Sequence, residues 1–472
     1  MRQLFFSGIM CLILIFSLIT NVYTFLGIAL AVTLLVMILL KLGKGIVLLE
    51  VTAFMYVFTC IIMPLIGYSF YSYNDRLSKL WVKYMPITSD IYFSYAMPAI
   101  TCFCIGITLA SLKRNTADEG ASINESIARM RQQLSRSRNK GFEIMVVGVL
   151  VSLLARFLPV SFNYFATLFF FGSFAGLLYI YFSPTFSNKK LVMLLFLAFI
   201  LWNALQTGMF TIVAYMGITI FSFFQLGKKT MMIKKVILFL VTVSFFIVLQ
   251  NVKVIYRKKT WNKSYEGSKV ELFSNLFIEN VQKGNALFGG DAFFPVYSRT
   301  NQGFNVALVM KRIPVIQPYD YGDRLVTVFA SAFIPRFLWT DKPEAGGRFN
   351  MKYYAGWNIR GWSTNVGPLG EAYGSFGITG GIIYMFLLGL FLRWVYLRVF
   401  YLSGKTPLLI CWLPVLFYLI TSSAETDTLQ ILNSIIKSAF FIWLLTKFLP
   451  SWFGIVKDTA VRTIAFKRSL HA

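Results

Sequence analysis

The feature that most constrains this chain is a long apolar run that keeps returning. About twelve stretches have the roughly 17–25 residues a helix needs to cross a bilayer. They cover residues 4–20, 24–41, 46–67, 92–112, 142–160, 162–182, 190–206, 208–226, 235–251, 378–400, 407–422 and 430–449. In hydrocarbon each backbone polar group must be satisfied within the segment, so runs of this length read as helices. Charged residues make up 14% of the chain, against roughly a quarter in soluble domains. The expected fold is all-α: a polytopic integral membrane protein with about twelve transmembrane helices. The seventh and eighth runs meet at a tight Gln206-Thr207-Gly208 turn, so they can equally be a broken or re-entrant pair. The first run follows Arg2 but lacks a small-x-small cleavage site, and another span comes almost at once. It is read as a span rather than a signal peptide.

The connections divide by charge. KLGKG (41–45), the 113–141 segment, SNKK (187–190), LGKKTMMIKK (226–235), the region around LSGK (402–405) and the C-terminal tail are basic. The alternate connections NVYT, VSFN and TSSAETDT contain no Lys or Arg. Cytoplasmic loops carry the excess of Lys and Arg, so both termini are expected in the cytoplasm. Four parts follow: residues 1–251 with nine spans and a basic amphipathic cytoplasmic helix at 113–141, a large external loop at 252–377, residues 378–449 with three spans, and a basic tail at 450–472. A second, moderate external loop covers about 68–91. Polar residues inside spans, Glu50, Asn203, Asn433 and Lys437, are costly in lipid and are expected to face the bundle interior. There they serve as interhelical hydrogen bonds or as a lining for a polar head group.

Several chemistries are excluded. The single histidine is His471, at the C-terminal end, which removes a Ser-His-Asp triad, a histidine-ligated zinc site and an internal histidine base. Cys11, Cys60, Cys102, Cys104 and Cys411 all fall in apolar runs and read as small hydrophobes rather than a disulfide framework. No Walker A loop, GxGxxG or paired-cysteine motif occurs. No metal and no cofactor is expected.

The large loop carries 16 Lys+Arg against 9 Asp+Glu. Within it LVTVFASAFIPRFLW is apolar but broken by Pro335, too short to span and better suited to an interfacial or re-entrant helix. The next residues, PRFLWTDKPEAGGRFN, concentrate Arg336, Asp341, Lys342, Glu344 and Arg348 around Trp339. Arg257, Arg299, Arg324 and Arg360 lie elsewhere in the loop, and Glu371 and Tyr373 close it. Guanidiniums grip phosphate or pyrophosphate bidentately, and aromatic faces suit sugar rings. Aromatics with Lys and Arg also anchor proteins at an interface. Anchoring, however, has no use for the carboxylates in the same window, and loops of this length are often functional.

The run Pro335-Arg336-x-Leu338-Trp339-x-Asp341-Lys342-Pro343, followed by Gly367-x-x-Gly370-Glu371-Ala372-Tyr373-x-x-Phe376-Gly377-x-x-Gly380, resembles bacterial O-antigen and capsule repeat-unit polymerases. Thr340 stands where proline is more usual. The layout, many spans with one large external loop in the second half, is also similar. The resemblance implies a metal-independent membrane glycosyltransferase in the bacterial inner membrane. Its donor is an undecaprenyl-pyrophosphate-linked oligosaccharide, attacked by a hydroxyl of another lipid-linked repeat at the outer face. On this reading Arg336 and Arg348 stabilise the leaving pyrophosphate, with Arg299 and Arg360 as second choices. Glu371 or Asp341 takes the hydroxyl proton or orients an arginine. Lys342, Trp339, Tyr373 and Arg257 contact substrate. Partners are the lipid-linked glycan and membrane lipids, with a chain-length regulator left open and no nucleic acid. A glycolipid flippase, a glycan ligase and a non-enzymatic scaffold are the alternatives. Ligases of this kind rely, by resemblance, on an external histidine that this chain lacks.

Overall fold

The computed structural model describes residues 2–109, 116–157, 159, 162–208, 210–261, 265–284, 289–334, 338–342, 346–360 and 364–455. Every regular element among them is helical. Nine of these helices are long and apolar enough to cross a membrane, the architecture of a polytopic membrane protein. Three of the twelve expected spans form shorter apolar helices: the first, apolar over Leu4–Ile19, then Lys140–Leu154 and Thr211–Gln225. The chain separates into two compact units.

The first unit comprises Met1–Thr116, Ala198–Trp394 and Leu419–Asn433. Its core helices are Tyr23–Lys41, Ser89–Thr108 and a run over Leu48–Phe70 that loosens to π geometry at Phe58–Ile62. Tyr56, Tyr92, Tyr95 and Phe103 are fully buried among them. Two of these phenols find backbone acceptors, Tyr92 on Cys60 O at 2.7 Å and Tyr95 on Leu369 O at 2.7 Å, as buried hydroxyls usually do. Gly106 lets its helix approach the helix beginning at Gly367: a Cβ there would stand 2.6 Å from Phe386 O, and one at Gly389 would stand 2.5 Å from Phe103 O. Close packing at small residues is what joins helices in lipid.

Glu50 is buried and paired with Lys41 at 2.6 Å, so its charge is met inside the unit as expected. Asn203 and Asn433 are half-buried. Lys437, in the second unit, departs from the expectation: it is exposed, with its ammonium 4.3 Å above the Tyr164 ring. Cys11 is likewise exposed, whereas Cys60, Cys104 and Cys411 are buried.

The large loop is mostly helical. It holds Lys269–Gln282, Gly290–Thr300, Gly303–Arg312, Asp323–Phe333 and Gly347–Ala355. The helix of 29 residues, Met232–Thr260, runs well past the span expected at 235–251 and carries the loop's first cations. The apolar stretch around 325–339 forms a helix that ends at Phe333, since the residue before a proline resists the α conformation. One of its faces, Val326, Phe329 and Phe333, stays exposed.

The second unit comprises Ala117–Leu197, Val395–Tyr418 and Ser434–Ala472. Helices Lys140–Leu154 and Asn163–Phe182 pack together, and Trp412 is buried there with Nε1 donating to Tyr179 Oη at 3.0 Å. The run expected at 407–422, one of the nine as Pro407–Glu425, is built of consecutive short 3₁₀ and α pieces, with Pro414 withholding a backbone donor in its interior. The helix Thr116–Arg136, within the basic 113–141 segment, buries part of one face: Ile127, Met130 and Leu134 are buried.

Candidate functional site

The first unit gathers two clusters of charged residues, from the large loop and from the connections around Lys83 and Glu425–Asp427. The first begins where Gly367, at φ 72, starts a helix that carries Glu371 one turn in. Glu371 is 2% exposed, and a carboxylate in such a place requires hydrogen-bond donors. It has three. Asn350 Nδ2 donates to Oε1 at 2.8 Å, and Thr428 donates to Oε2 from its amide at 2.9 Å and its hydroxyl at 2.5 Å.

Beside it, Asp427 caps the helix Thr428–Phe448. Its Oδ1 accepts the amide of Gln430 at 2.6 Å, the N3 position served by an N-cap carboxylate. Its Oδ2 accepts the amide of Gly346 at 2.8 Å and Asn365 Nδ2 at 2.9 Å. Burial pushes the Asp427 carboxyl above the usual aspartate range, while the donors from Gln430, Asn365 and Gly346 pull against that rise. Asn305 extends the network by donating to Asn365 O at 2.9 Å. The Arg324 guanidinium lies 4.0 Å over the Phe349 ring and bears electrostatically on both carboxylates. The network thus ties the 346–350 segment to the start of two helices.

The second cluster is cationic. Arg299, on the helix Gly290–Thr300, pairs with Glu425 at 2.6 Å, and Tyr215 donates to the other Glu425 oxygen at 3.0 Å. Glu425 raises the Arg299 pKa further above its ordinary value. Lys253 and Arg257 stand one turn apart near the end of Met232–Thr260, both within electrostatic reach of Arg299. Arg257 Nε donates to Gly208 O at 2.8 Å, and its guanidinium lies 4.4 Å over Trp261. Burial and the charge of Arg299 pull the Lys83 ammonium down to about 8. Lys83 also lies 4.6 Å over Phe304, which lines a cleft of about 210 Å³ with Tyr84, Lys311, Arg312 and Trp357.

The residues singled out in the sequence distribute as follows. Arg336 lies outside the described residues, as do Pro335 and Glu344. Arg348 is exposed on the helix Gly347–Ala355, two residues from Asn350. Asp341 and Arg360 are exposed. Trp339 is half-buried, and Lys342 donates to Ile334 O at 2.8 Å. Tyr373 is buried with its ring 5.0 Å from Tyr95 and 6.0 Å from Tyr319, so it packs against protein and presents no face to a sugar. The fold therefore joins the Arg348 helix to Glu371, and separately joins Arg257 to Arg299.

Sequence reasoning passed over Lys83, Lys253, Glu425 and Asp427. The last two sit in TSSAETDT, a connection read only for its lack of Lys and Arg. Asp427 had a legible signal, an Asp just before an apolar helical run. Lys253 had one in its four-residue spacing from Arg257, which puts both on one helix face.

No curated protein and no solved structure matches the chain. A family described as "Domain of unknown function (DUF8712)" matches residues 120–456, most of the sequence and both carboxylates of the buried network. The chain belongs to the DUF8712 family.

Proposed function

We propose that this protein is a membrane glycosyltransferase that polymerises lipid-pyrophosphate-linked oligosaccharide repeat units at the outer face of the bacterial inner membrane. On this reading both termini are cytoplasmic, and residues 252–377 with their short helices form the external reaction surface. The observation that carries it is the hydrogen bond from Asn350 to Glu371 at 2.8 Å. It couples the two separated halves of the motif, around 335–350 and 367–380, into one polar platform with Arg348 exposed on it.

The chemistry follows from the residue types. An acceptor hydroxyl attacks the anomeric carbon of the donor sugar. The bond from that carbon to the pyrophosphate oxygen breaks, and the lipid pyrophosphate leaves with the electron pair. Its charge grows in the transition state, so preplaced cations stabilise it most at that moment. Arg348 and Arg336 take this role. Both oxygens of Glu371 are already occupied by donors, which makes Glu371 a positioning residue for the Arg348 helix. Asp341, exposed in the same segment, is the carboxylate left to accept the hydroxyl proton.

Purified protein in proteoliposomes, given only polyprenyl-pyrophosphate-linked repeat unit, is expected to produce a ladder of longer glycans with release of polyprenyl pyrophosphate. A substrate that stays a single repeat unit overturns the reading. If that single unit changes leaflet in the same vesicles, the protein is a transporter.

A further inference from the structure

Lys253 is the starting point. Only 8% of it is exposed, and no acceptor among the described residues hydrogen-bonds its ammonium. A lysine set this deep, with no hydrogen-bonding acceptor among the described residues, is unfavourable, and here two guanidiniums, Arg257 and Arg299, add their repulsion. The carboxylate within reach, Glu425, is committed on both oxygens, to Arg299 at 2.6 Å and Tyr215 at 3.0 Å. Lys83 adds a fourth positive charge beside Arg299.

Membrane anchoring does not explain this arrangement. Anchoring lysines extend toward water, as Lys258 and Lys259 do at the end of the same helix, both being exposed. Lys253 instead turns inward. Arg257 is held by Gly208 O through Nε and by the Trp261 ring, so its two terminal nitrogens remain for a ligand. One inward-turned lysine beside two partly exposed guanidiniums, with one carboxylate that is already engaged, forms a receptor for an oxyanion.

We propose that Lys253, Arg257 and Arg299 form a binding site for a phosphate or pyrophosphate group carried by a lipid, with Glu425 and Tyr215 holding Arg299 in position. The lipid follows from the helix. Met232–Thr260 contains an 18-residue window of mean hydropathy 2.4; Lys234 and Lys235 lie at one end of the helix, and Lys253 and Arg257 stand at the other, at the edge of the apolar stretch. Phosphate is the oxyanion that several charge-assisted donors serve best. The site deepens the proposed function and rests on it only for which lipid presents the anion.

The test uses the full chain in detergent or nanodiscs, with the thermal unfolding midpoint and tryptophan fluorescence as readouts. The probes are inorganic pyrophosphate, farnesyl pyrophosphate, and nanodiscs of phosphatidylglycerol against phosphatidylcholine. Both pyrophosphates are expected to stabilise the wild type, and Lys253→Met and Arg257→Gln to bind them at least ~10-fold more weakly. Lys253→Arg keeps the charge and retains binding. Without any anion, Lys253→Met should unfold at a higher temperature than the wild type, which also shows that the variant is folded. Wild-type affinity in both charge-removing variants overturns the site, and so does a wild type that no anion stabilises. Phosphatidylglycerol matching farnesyl pyrophosphate, through Lys253, assigns the site to bulk anionic lipid. If Lys253→Met makes a normal glycan ladder, the site falls and the polymerase reading stands. If pyrophosphate binds through Lys253 but no ladder forms with the wild type, the polymerase reading falls and the site stands.

Discussion

Thr428 meets Glu371 twice, with its amide at 2.9 Å and its hydroxyl at 2.5 Å from the same carboxylate oxygen. The contact spans 57 residues of sequence and sets the first residue of one membrane helix against the first turn of another. Asp427, the preceding residue, reaches the other way to Gly346. A short polar seam therefore fixes where two apolar helices begin.

Glu371→Ala takes the acceptor from three buried donors; the Thr428 hydroxyl can turn to Tyr384 Oη, 2.7 Å away, and each donor left unpaired costs roughly 1–3 kcal/mol. A loss of about 3–5 kcal/mol is expected, read as a large fall in the unfolding midpoint in micelles. Glu371→Gln turns an amide nitrogen toward donors and should restore only part of it. A midpoint unchanged in both variants would show that the seam is not structural.

Arg348→Ala should leave the fold intact, because the side chain is exposed on the Gly347–Ala355 helix. Loss of one preplaced donor to a developing oxyanion costs about 10²–10³ in rate, and Arg348→Lys should recover part of that. Product ladders at matched protein level measure it, and wild-type ladders in both variants would remove Arg348 from the chemistry.

Arg299 and Glu425 should be coupled. The arginine side chain is 42% exposed and the glutamate 13%, so solvent screens the pair and a coupling of about 1 kcal/mol is expected rather than the full worth of a buried bridge. A double-mutant cycle with Arg299→Met and Glu425→Gln, followed by thermal unfolding, gives the value. Strict additivity would contradict the pairing.

Lys83 sets a pH dependence. Its folded pKa, near 8, lies below the ordinary lysine value of 10.5. Between those values the unfolded chain holds the proton that the folded chain has lost, so stability rises with pH across that window. Below about pH 8 both states are protonated and the full cost of the buried charge is present. Lys83→Met should be more stable than the wild type at pH 7, and its stability should rise less steeply than the wild type's from pH 8 to 10. A wild-type profile that falls over that range would reverse the assignment.

Gly106 and Gly389 face opposite backbones at distances no Cβ tolerates. Either Gly→Ala change must force the two helices apart, costing about 1–3 kcal/mol. Placing alanine at both should cost less than the sum of the two single changes, because the first already opens the gap. Unfolding midpoints of the three variants decide this.

The helical class and the membrane habit were legible because hydrocarbon leaves a chain few options, and long apolar runs declare it. Glu371 also stood out, as a charge at the lip of such a run. The seam around it did not, since Asn305, Asn350 and Asn365 look like ordinary loop asparagines until folding brings them together. Lys253 was hidden by its place in the sequence. The apolar count ends just before it, so it reads as the first charged residue of a loop although the helix runs on to Thr260. The 407–425 stretch misled differently: its hydropathy is that of a span, but its prolines and hydroxyl residues favour short 3₁₀ turns.

Gly377 stands inside the helix Gly367–Ser403 at φ 67 and ψ −157, a conformation essentially confined to glycine. The helix is therefore an elbow. The arm before Gly377 carries Glu371 and is anchored by the polar seam, while the arm from Ile378 to Ser403 is long enough to cross the ~30 Å hydrocarbon core. The chain therefore changes direction at Gly377, between the turn that holds the seam and the arm long enough to span. A side chain at position 377 would have to adopt a backbone conformation essentially confined to glycine, so the bend between seam and span hangs on the missing Cβ of one residue.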